Sequence, residues 1–305
     1  MRPQPTRSSR SPALAPDAAV VVTGASSGIG RATALQLAAS GRRVVLLSRS
    51  EQTLRAVQQE CDLRGGAAVV AVADVSDAGA VGRAFADAEA AFGRVEAVVH
   101  AAGALAYGRF EDVPADVFDH ALATTLGGTA NVARSALQHF HAHGHRGRLV
   151  VVGSLLGKIA TPYMSSYVTA KWGVHGLVRS LQIEARQTPD IDISLVSPGS
   201  VDTPVFRQAG TYAGVGGHPP PPVTTPERVA DAILATLEQP VRDRNVGIGN
   251  AVTILGFRAL PAVFDVLVTP LMRLGGLSRE PVGATPGNVL EPRPEGERVR
   301  GGWRR

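Results

Sequence analysis

The amino-acid sequence predicts an α/β protein built on a doubly wound parallel sheet with helices on both faces. Three observations predict it. Short apolar runs alternate with helical patterns along most of the chain. The runs are apolar throughout and do not alternate with polar residues, as strands covered on both sides must be. The first run breaks into a glycine-rich turn that opens directly into a helix. With 305 residues, 44% of them hydrophobic and 5% aromatic, the Ala-, Val- and Gly-rich chain suits one closely packed domain with flexible tails.

Taken in order, residues 20–22 form the first run and lead through Thr23 into Gly24-Ala25-Ser26-Ser27-Gly28-Ile29-Gly30. A helix over 28–40 follows, with Ile29, Ala32, Leu35 and Ala38 on one face. Further strand-like runs lie at 44–47, 67–72, 95–100, 149–152 and 191–196. The helices between them open near Ser50, behind Ser76 as a candidate cap, over 114–143, and through Tyr167 to 185. Thr225-Pro226-Glu227 is a good start for a later helix.

In an open parallel sheet, ligands bind just beyond the carboxyl ends of the strands, so the chemistry is sought there. The turn after the first strand leaves backbone N–H groups unpaired at a helix N-terminus, a site that attracts phosphate. Its spacing is G-x-x-x-G-x-G, in which Gly24 suits the tight turn, Gly28 the approach of a pyrophosphate and Gly30 close packing of helix on sheet. The second strand ends in Ser48-Arg49, nineteen residues beyond Gly30, with no Asp or Glu at 47 or 48. A carboxylate there would read a ribose 2′-hydroxyl; an arginine accommodates a 2′-phosphate, so Arg49 predicts NADP(H) over NAD(H). Such a charge-assisted contact is worth about 1.5–3 kcal/mol.

Tyr167 and Lys171 are four apart in a helical stretch and project from one face. A nearby ammonium favours phenolate and lowers a tyrosine pKa toward neutrality, which makes an acid/base of it. Ser154, at the end of a neighbouring strand, is placed to hydrogen-bond the same substrate oxygen.

On these residues together, with Asp74 and with Ser197-Pro198-Gly199 and Thr203, the sequence over 17–250 resembles the classical short-chain dehydrogenase/reductase family. The resemblance implies a Rossmann-like sheet and hydride exchange between NAD(P)H and a carbonyl or alcohol. It implies Tyr167 as acid/base, Lys171 as the residue that lowers its pKa and holds the nicotinamide ribose, and Ser154 as the residue that orients the carbonyl. The implied cofactor set comprises Thr23, Gly24, Ser26, Ser27, Gly28, Ile29 and Gly30 of the turn, and Ser48 with Arg49. Asp74 and Val75 belong to it at the adenine, Ala101, Ala102 and Gly103 along the cofactor, and Pro198, Gly199, Val201 and Thr203 by the nicotinamide. Two positions depart from the family pattern: His100 stands where an asparagine ties the central strands, and Thr125 stands at the fourth catalytic position, also an asparagine in the family. Threonine keeps a hydroxyl but lacks the amide, so lowered or specialised activity is expected.

The leading expectation is therefore an NADP-dependent oxidoreductase of a small to medium, apolar alcohol or ketone. The alternative is an NADP-binding regulatory or interaction protein with little turnover, favoured by His100 and Thr125. The formal charge of +5 gathers at the ends, in Arg2, Arg7 and Arg10 and in residues 293–305, which argues for solvated tails over 1–17 and 281–305 and against nucleic acid. Cys61 is the only cysteine, and residues 1–17 show no secretory pattern, so a reducing, cytoplasmic setting is expected, with a homodimer or homotetramer. Residues 200–225 read as an irregular loop able to close over a substrate. The apolar stretch 251–272, broken by Pro261 and Pro270, reads as a lid, an oligomer contact or a peripheral membrane patch within a C-terminal extension over 251–280. The histidines from His139 to His145 read as a solvated helix end, with no metal.

Overall fold

A computed structural model describes residues 14–303. Residues 1–13 of the expected N-terminal tail, and Arg304 and Arg305, lie outside the described residues. The first half runs β1 (Ala19–Thr23), α1 (Gly28–Ala39), β2 (Arg43–Ser48), α2 (Glu51–Asp62), β3 (Ala67–Val72), α3 (Ala78–Phe92) and β4 (Val95–His100). Then come β5 (Ala106–Tyr107), α4 (Ala115–Leu122), α5 (Gly128–Ala142), β6 (Gly147–Val152), α6 (Ser165–Glu184) and β7 (Ile191–Pro198). The last third holds β8 (Ser200–Val201), α7 (Val205–Gln208), β9 (Gly210–Thr211), β10 (Val215–Gly217), β11 (Val223–Thr224) and α8 (Pro226–Glu238). It closes with β12 (Asp243–Val246), α9 (Asn250–Ala259), α10 (Pro261–Gly275) and β13 (Leu277–Pro281).

Seven strands form one sheet in the order β12-β7-β6-β4-β1-β2-β3, and every neighbouring pair is parallel. The chain winds outward in both directions from β1, so the switch point lies between the carboxyl ends of β1 and β4. Alternate strand residues feed two cores. Val20, Val22, Val44 and Leu46 pack toward α1, α2 and α8 with Leu37, Leu54 and Ile233. Val21, Val45, Leu47 and Val98 pack toward α3, α5 and α6 with Phe85, Phe140 and Val174. Asp77 caps α3 by accepting the Gly79 and Ala80 N–H groups, the role expected of Ser76. Thr225 caps α8 as expected, accepting from the Arg228 N–H at 3.3 Å.

Four features differ from the sequence expectation. The helix expected over 114–143 is two helices joined by a π-helical turn, Ala123–Gly127, which rotates the residues on either side of it relative to one another. β12 has no apolar pattern because it is an edge strand, and it adds a seventh strand beside β7. At the N-terminal end, Leu14 is buried against the core on the α1 side. At the other end, residues expected in a solvated tail over 281–305 are packed through 303: Val289 is 1% exposed and Trp303 stacks against Arg207. Burial of these apolar side chains outweighs the charge and proline content that suggested solvation.

Candidate active site

The glycine turn is shaped by contacts that only glycine tolerates. Gly24 and Gly28 have φ of 66° and 54°. A Cβ on Gly30 would lie 2.2 Å from the Gly24 carbonyl oxygen, so α1 starts directly against the turn. The Thr23 hydroxyl accepts the Ala101 and Ala102 N–H groups at 3.2 and 3.3 Å. It donates its own proton to His100 Nδ1 at 2.8 Å. His100 thus ties β4 to β1, the work expected of the missing asparagine. Burial, with the charge of Lys171 as a smaller cause, pulls its pKa down to about 3, so the imidazole is neutral.

At the end of β6, the Ser154 hydroxyl accepts the Leu156 N–H at 3.1 Å and hydrogen-bonds Tyr167. Lys171 donates to the Val152 carbonyl at 2.8 Å and stands 5.6 Å from the centre of the Tyr167 ring. The expected trio is therefore together, but its electrostatics differ from the expectation. Burial pushes Tyr167 up to about 12, against the opposing effect of the Ser154 hydrogen bond. Burial also pulls Lys171 down to about 8. Desolvation dominates at both groups, because both have lost their water, and the lowering of the tyrosine expected from Lys171 does not emerge.

His175, one turn beyond Lys171 on the same face of α6, was missed by sequence reasoning. Its Nε2 accepts the Ser154 N–H at 3.4 Å, and its ring fills the space beside Gly157, where a Cβ would come within 2.3 Å. The i, i+4, i+8 run of Tyr167, Lys171 and His175 is the signal that would have found it. Burial holds it neutral, with a pKa near 4.

The predicted site residues converge on one cavity of about 1000 Å³. Among them only Thr23, Gly30 and Thr125 are missing from its walls, the first two because they support the turn from behind. The placing of Thr125 in the site is corrected. It is fully buried, and its hydroxyl accepts the Ala104 N–H at 3.0 Å and donates to the Ala104 carbonyl at 3.2 Å. The π turn presents Thr124 to the cavity instead. Arg49 lies 3.9 Å from the Asp74 carboxylate and donates to the backbone carbonyl of Asn288 at 2.7 Å and to those of Val289 and Leu290 at 3.4 Å.

Helices α9 and α10 form the apolar wall of the cavity, through residues such as Val263, Leu267 and Met272. Arg273 donates to the Tyr163 hydroxyl at 2.8 Å and ties α10 to the loop before α6, so the stretch 251–272 is built into the site. Val252 and Leu274, which line the cavity, and Val266, which does not, are nevertheless more than 70% exposed. No helix among the described residues is long and apolar enough to cross a membrane. Glu89, His139 and His143 approach one another, but His139 Nε2 accepts the Val95 N–H at 2.9 Å. The neutral ring then carries its proton on Nδ1, toward Glu89, and offers no lone pair to a metal.

Comparison with known proteins agrees with this geometry. Residues 18–212 match the family model described as short chain dehydrogenase. The chain is 34% identical over 260 residues to the uncharacterized oxidoreductase YxnA of Bacillus subtilis, covering 84% of this chain and 72% of that protein. It is 37% identical over 198 residues to the probable oxidoreductase EphD of Mycobacterium tuberculosis, of which it spans 33%. An alcohol dehydrogenase from the archaeon Thermococcus sibiricus, solved with 5-hydroxy-NADP, superposes with a TM-score of 0.65 at 29% identity, over 76% of this chain and 95% of that one. A short chain dehydrogenase from Mycobacterium paratuberculosis bound to NAD shares the fold at a TM-score of 0.68 and 23% identity, over 77% of this chain and 98% of that one.

Proposed function

Since this chain belongs to the short-chain dehydrogenase/reductase family and is an oxidoreductase of that family, we propose that it is NADP-dependent and interconverts an apolar ketone or aldehyde with its alcohol. The observation that carries the reading is the convergence of Ser154, Tyr167 and Lys171 with the glycine turn on one cavity.

The residues present fit a dinucleotide. Gly24 and Gly28 hold the turn in left-handed backbone conformations close against Ala102 and Thr203, Gly28 brings the N-terminus of α1 to the cavity, and Arg49 brings a guanidinium to the end of β2. Gly28, Ile29 and Ser27 would hold the pyrophosphate, Arg49 with Ser26 the 2′-phosphate, and Lys171 the nicotinamide ribose. The bound nicotinamide supplies or accepts the hydride. In reduction Tyr167 keeps its proton on Oη, as its raised pKa requires, and passes it to the substrate oxygen, which Ser154 orients. In oxidation Tyr167 must first be deprotonated, and a protonated Lys171 favours that state. The apolar side chains that α9 and α10 present to the cavity support an apolar substrate. The reading includes a cytoplasmic homodimer or homotetramer; the buried, solitary Cys61 suits a reducing compartment.

The test is oxidation of NADPH against a panel of ketones and aldehydes, repeated with Tyr167→Phe. Turnover is expected to fall about 10²–10⁴-fold with NADPH binding retained. Turnover that survives the substitution overturns the mechanism. NADPH binding with no turnover on any carbonyl would support the alternative of a dinucleotide-binding regulatory protein.

A further inference from the structure

The segment 285–303 does not lie on a neutral part of the surface. It runs along the dinucleotide groove and engages the groups that a dinucleotide would use. The Gly28 N–H, at the N-terminus of α1, donates to the Arg298 carbonyl at 3.0 Å, and the Ser27 hydroxyl donates to the same oxygen at 3.1 Å. The Ser26 hydroxyl donates to the Glu297 carboxylate at 2.8 Å. Arg49 is taken by the carbonyls of Asn288, Val289 and Leu290. A carboxylate and a series of carbonyls offer acceptors only, as a phosphate chain does.

The path is fitted to the chain that follows it. Gly287 has a φ of 60° and Gly301 is buried; a Cβ on either would come within 2.4 Å of backbone, against the Gln208 and Thr203 carbonyl oxygens respectively. Gly296 leaves no more room, since its Cβ would meet Gln208 Nε2 at 2.8 Å. Both ends are anchored outside the phosphate groups. Val289 is buried with Ala104, Val113, Val117 and Ala121. Trp303 has the Arg207 guanidinium 4.1 Å from its ring centre and donates its indole N–H to the Thr203 carbonyl at 3.0 Å.

The geometry points to residues 285–303 as an internal ligand of the dinucleotide groove, a strap whose Glu297 carboxylate and Arg298 carbonyl compete with the cofactor phosphates. The inference rests on the dinucleotide reading of this groove. Gly28 has one N–H, and it cannot serve Arg298 and a phosphate together. The second Glu297 carboxylate oxygen is buried without a hydrogen-bond partner, so an arriving phosphate would face an anion. The cofactor therefore binds the fraction of molecules whose strap has lifted, and its apparent affinity is reduced by that fraction. Elements that loosen the strap raise affinity without touching the catalytic residues.

The test uses the full chain. NADPH affinity is measured by nucleotide fluorescence in the natural protein and in Glu297→Ala, Trp303→Ala and the double variant, and amide exchange of 285–303 is followed with and without saturating NADPH. Tighter NADPH binding by about tenfold in the double variant, with faster exchange of 296–303 when NADPH is bound, is expected. Unchanged or weaker binding in folded variants, or slower exchange of 285–303 with NADPH, overturns the strap and makes the segment part of the cofactor site or a bystander. If neither the natural protein nor any variant binds NADPH or NADH, the dinucleotide reading fails, and the strap with it.

Discussion

Thr125→Val separates a structural role from a catalytic one at the position where the family carries its fourth catalytic residue. The substitution keeps shape and removes one hydroxyl. That hydroxyl holds both backbone polar groups of Ala104, accepting at 3.0 Å and donating at 3.2 Å, in a site with no exposure. Leaving a buried N–H and a buried carbonyl without partners costs about 1–3 kcal/mol each. The added methyl returns up to about 0.8 kcal/mol of burial. A net loss of about 1–6 kcal/mol follows, which at about 2–4 °C per kcal/mol lowers Tm by at least a few degrees. Thermal unfolding by circular dichroism, read beside kcat and KM at 25 °C, is the assay. Catalysis is expected to change only a few-fold, since the hydroxyl faces Ala104 and not the cavity, and Thr125→Ser should restore stability. An unchanged Tm together with a kcat reduced a hundredfold would refute this reasoning and return Thr125 to the catalytic set.

Arg49→Gln removes the charge offered to a 2′-phosphate, so the preference for NADPH over NADH is expected to fall about 10- to 150-fold in paired affinity measurements. Gly30→Ala puts a Cβ 2.2 Å from the Gly24 carbonyl oxygen, and both atoms are backbone-anchored; loss of NADPH binding and of at least about 1–3 kcal/mol of stability is expected from chemical denaturation. Folding depresses the pKa of His100 to about 3 and of His175 to about 4, both from an ordinary 6.5. Their contribution to stability is complete above pH 6.5 and is lost as pH falls toward those values, because the unfolded chain takes up protons that the folded one refuses. Urea midpoints should therefore be flat from pH 7 to 8 and decline below 6.5, with a shallower decline in His100→Asn. Oxidation of an alcohol should accelerate as pH rises from 7 toward 8, since burial keeps Tyr167 protonated at neutrality, and gain less above that, where Lys171 loses the charge that favours the phenolate.

Helix α10, the loop before α6 and the chain beside β5 are joined by hydrogen bonds. Arg273 reaches from α10 to the Tyr163 hydroxyl, and the Tyr163 carbonyl accepts the Gly108 N–H at 3.0 Å beside β5. Tyr163 holds this place with a φ of 68°, a conformation costly for a bulky residue, just before the helix that carries Tyr167 and Lys171.

What the sequence determined by itself is what depends on local spacing. Apolar runs and the glycine turn give the parallel sheet and its phosphate end because each strand and turn carries its own signal over a few residues. The four-residue step from Tyr167 to Lys171 places both on one helical face, and Ser154 joins them because it ends a neighbouring strand. The tertiary structure decided whatever depends on partners distant in the chain. β12 joins the sheet with the sequence Asp-Arg-Asn-Val because an edge strand needs backbone pairing more than apolar side chains. A π turn, which no hydrophobic period encodes, exchanges Thr125 for Thr124 at the cavity. His100 takes the place of an asparagine because Thr23, 77 positions away, hydrogen-bonds its ring. Residues 285–303 look like a solvated tail by charge and proline content, yet they settle into the groove of α1, because burial and hydrogen bonding are decided by the surface they meet.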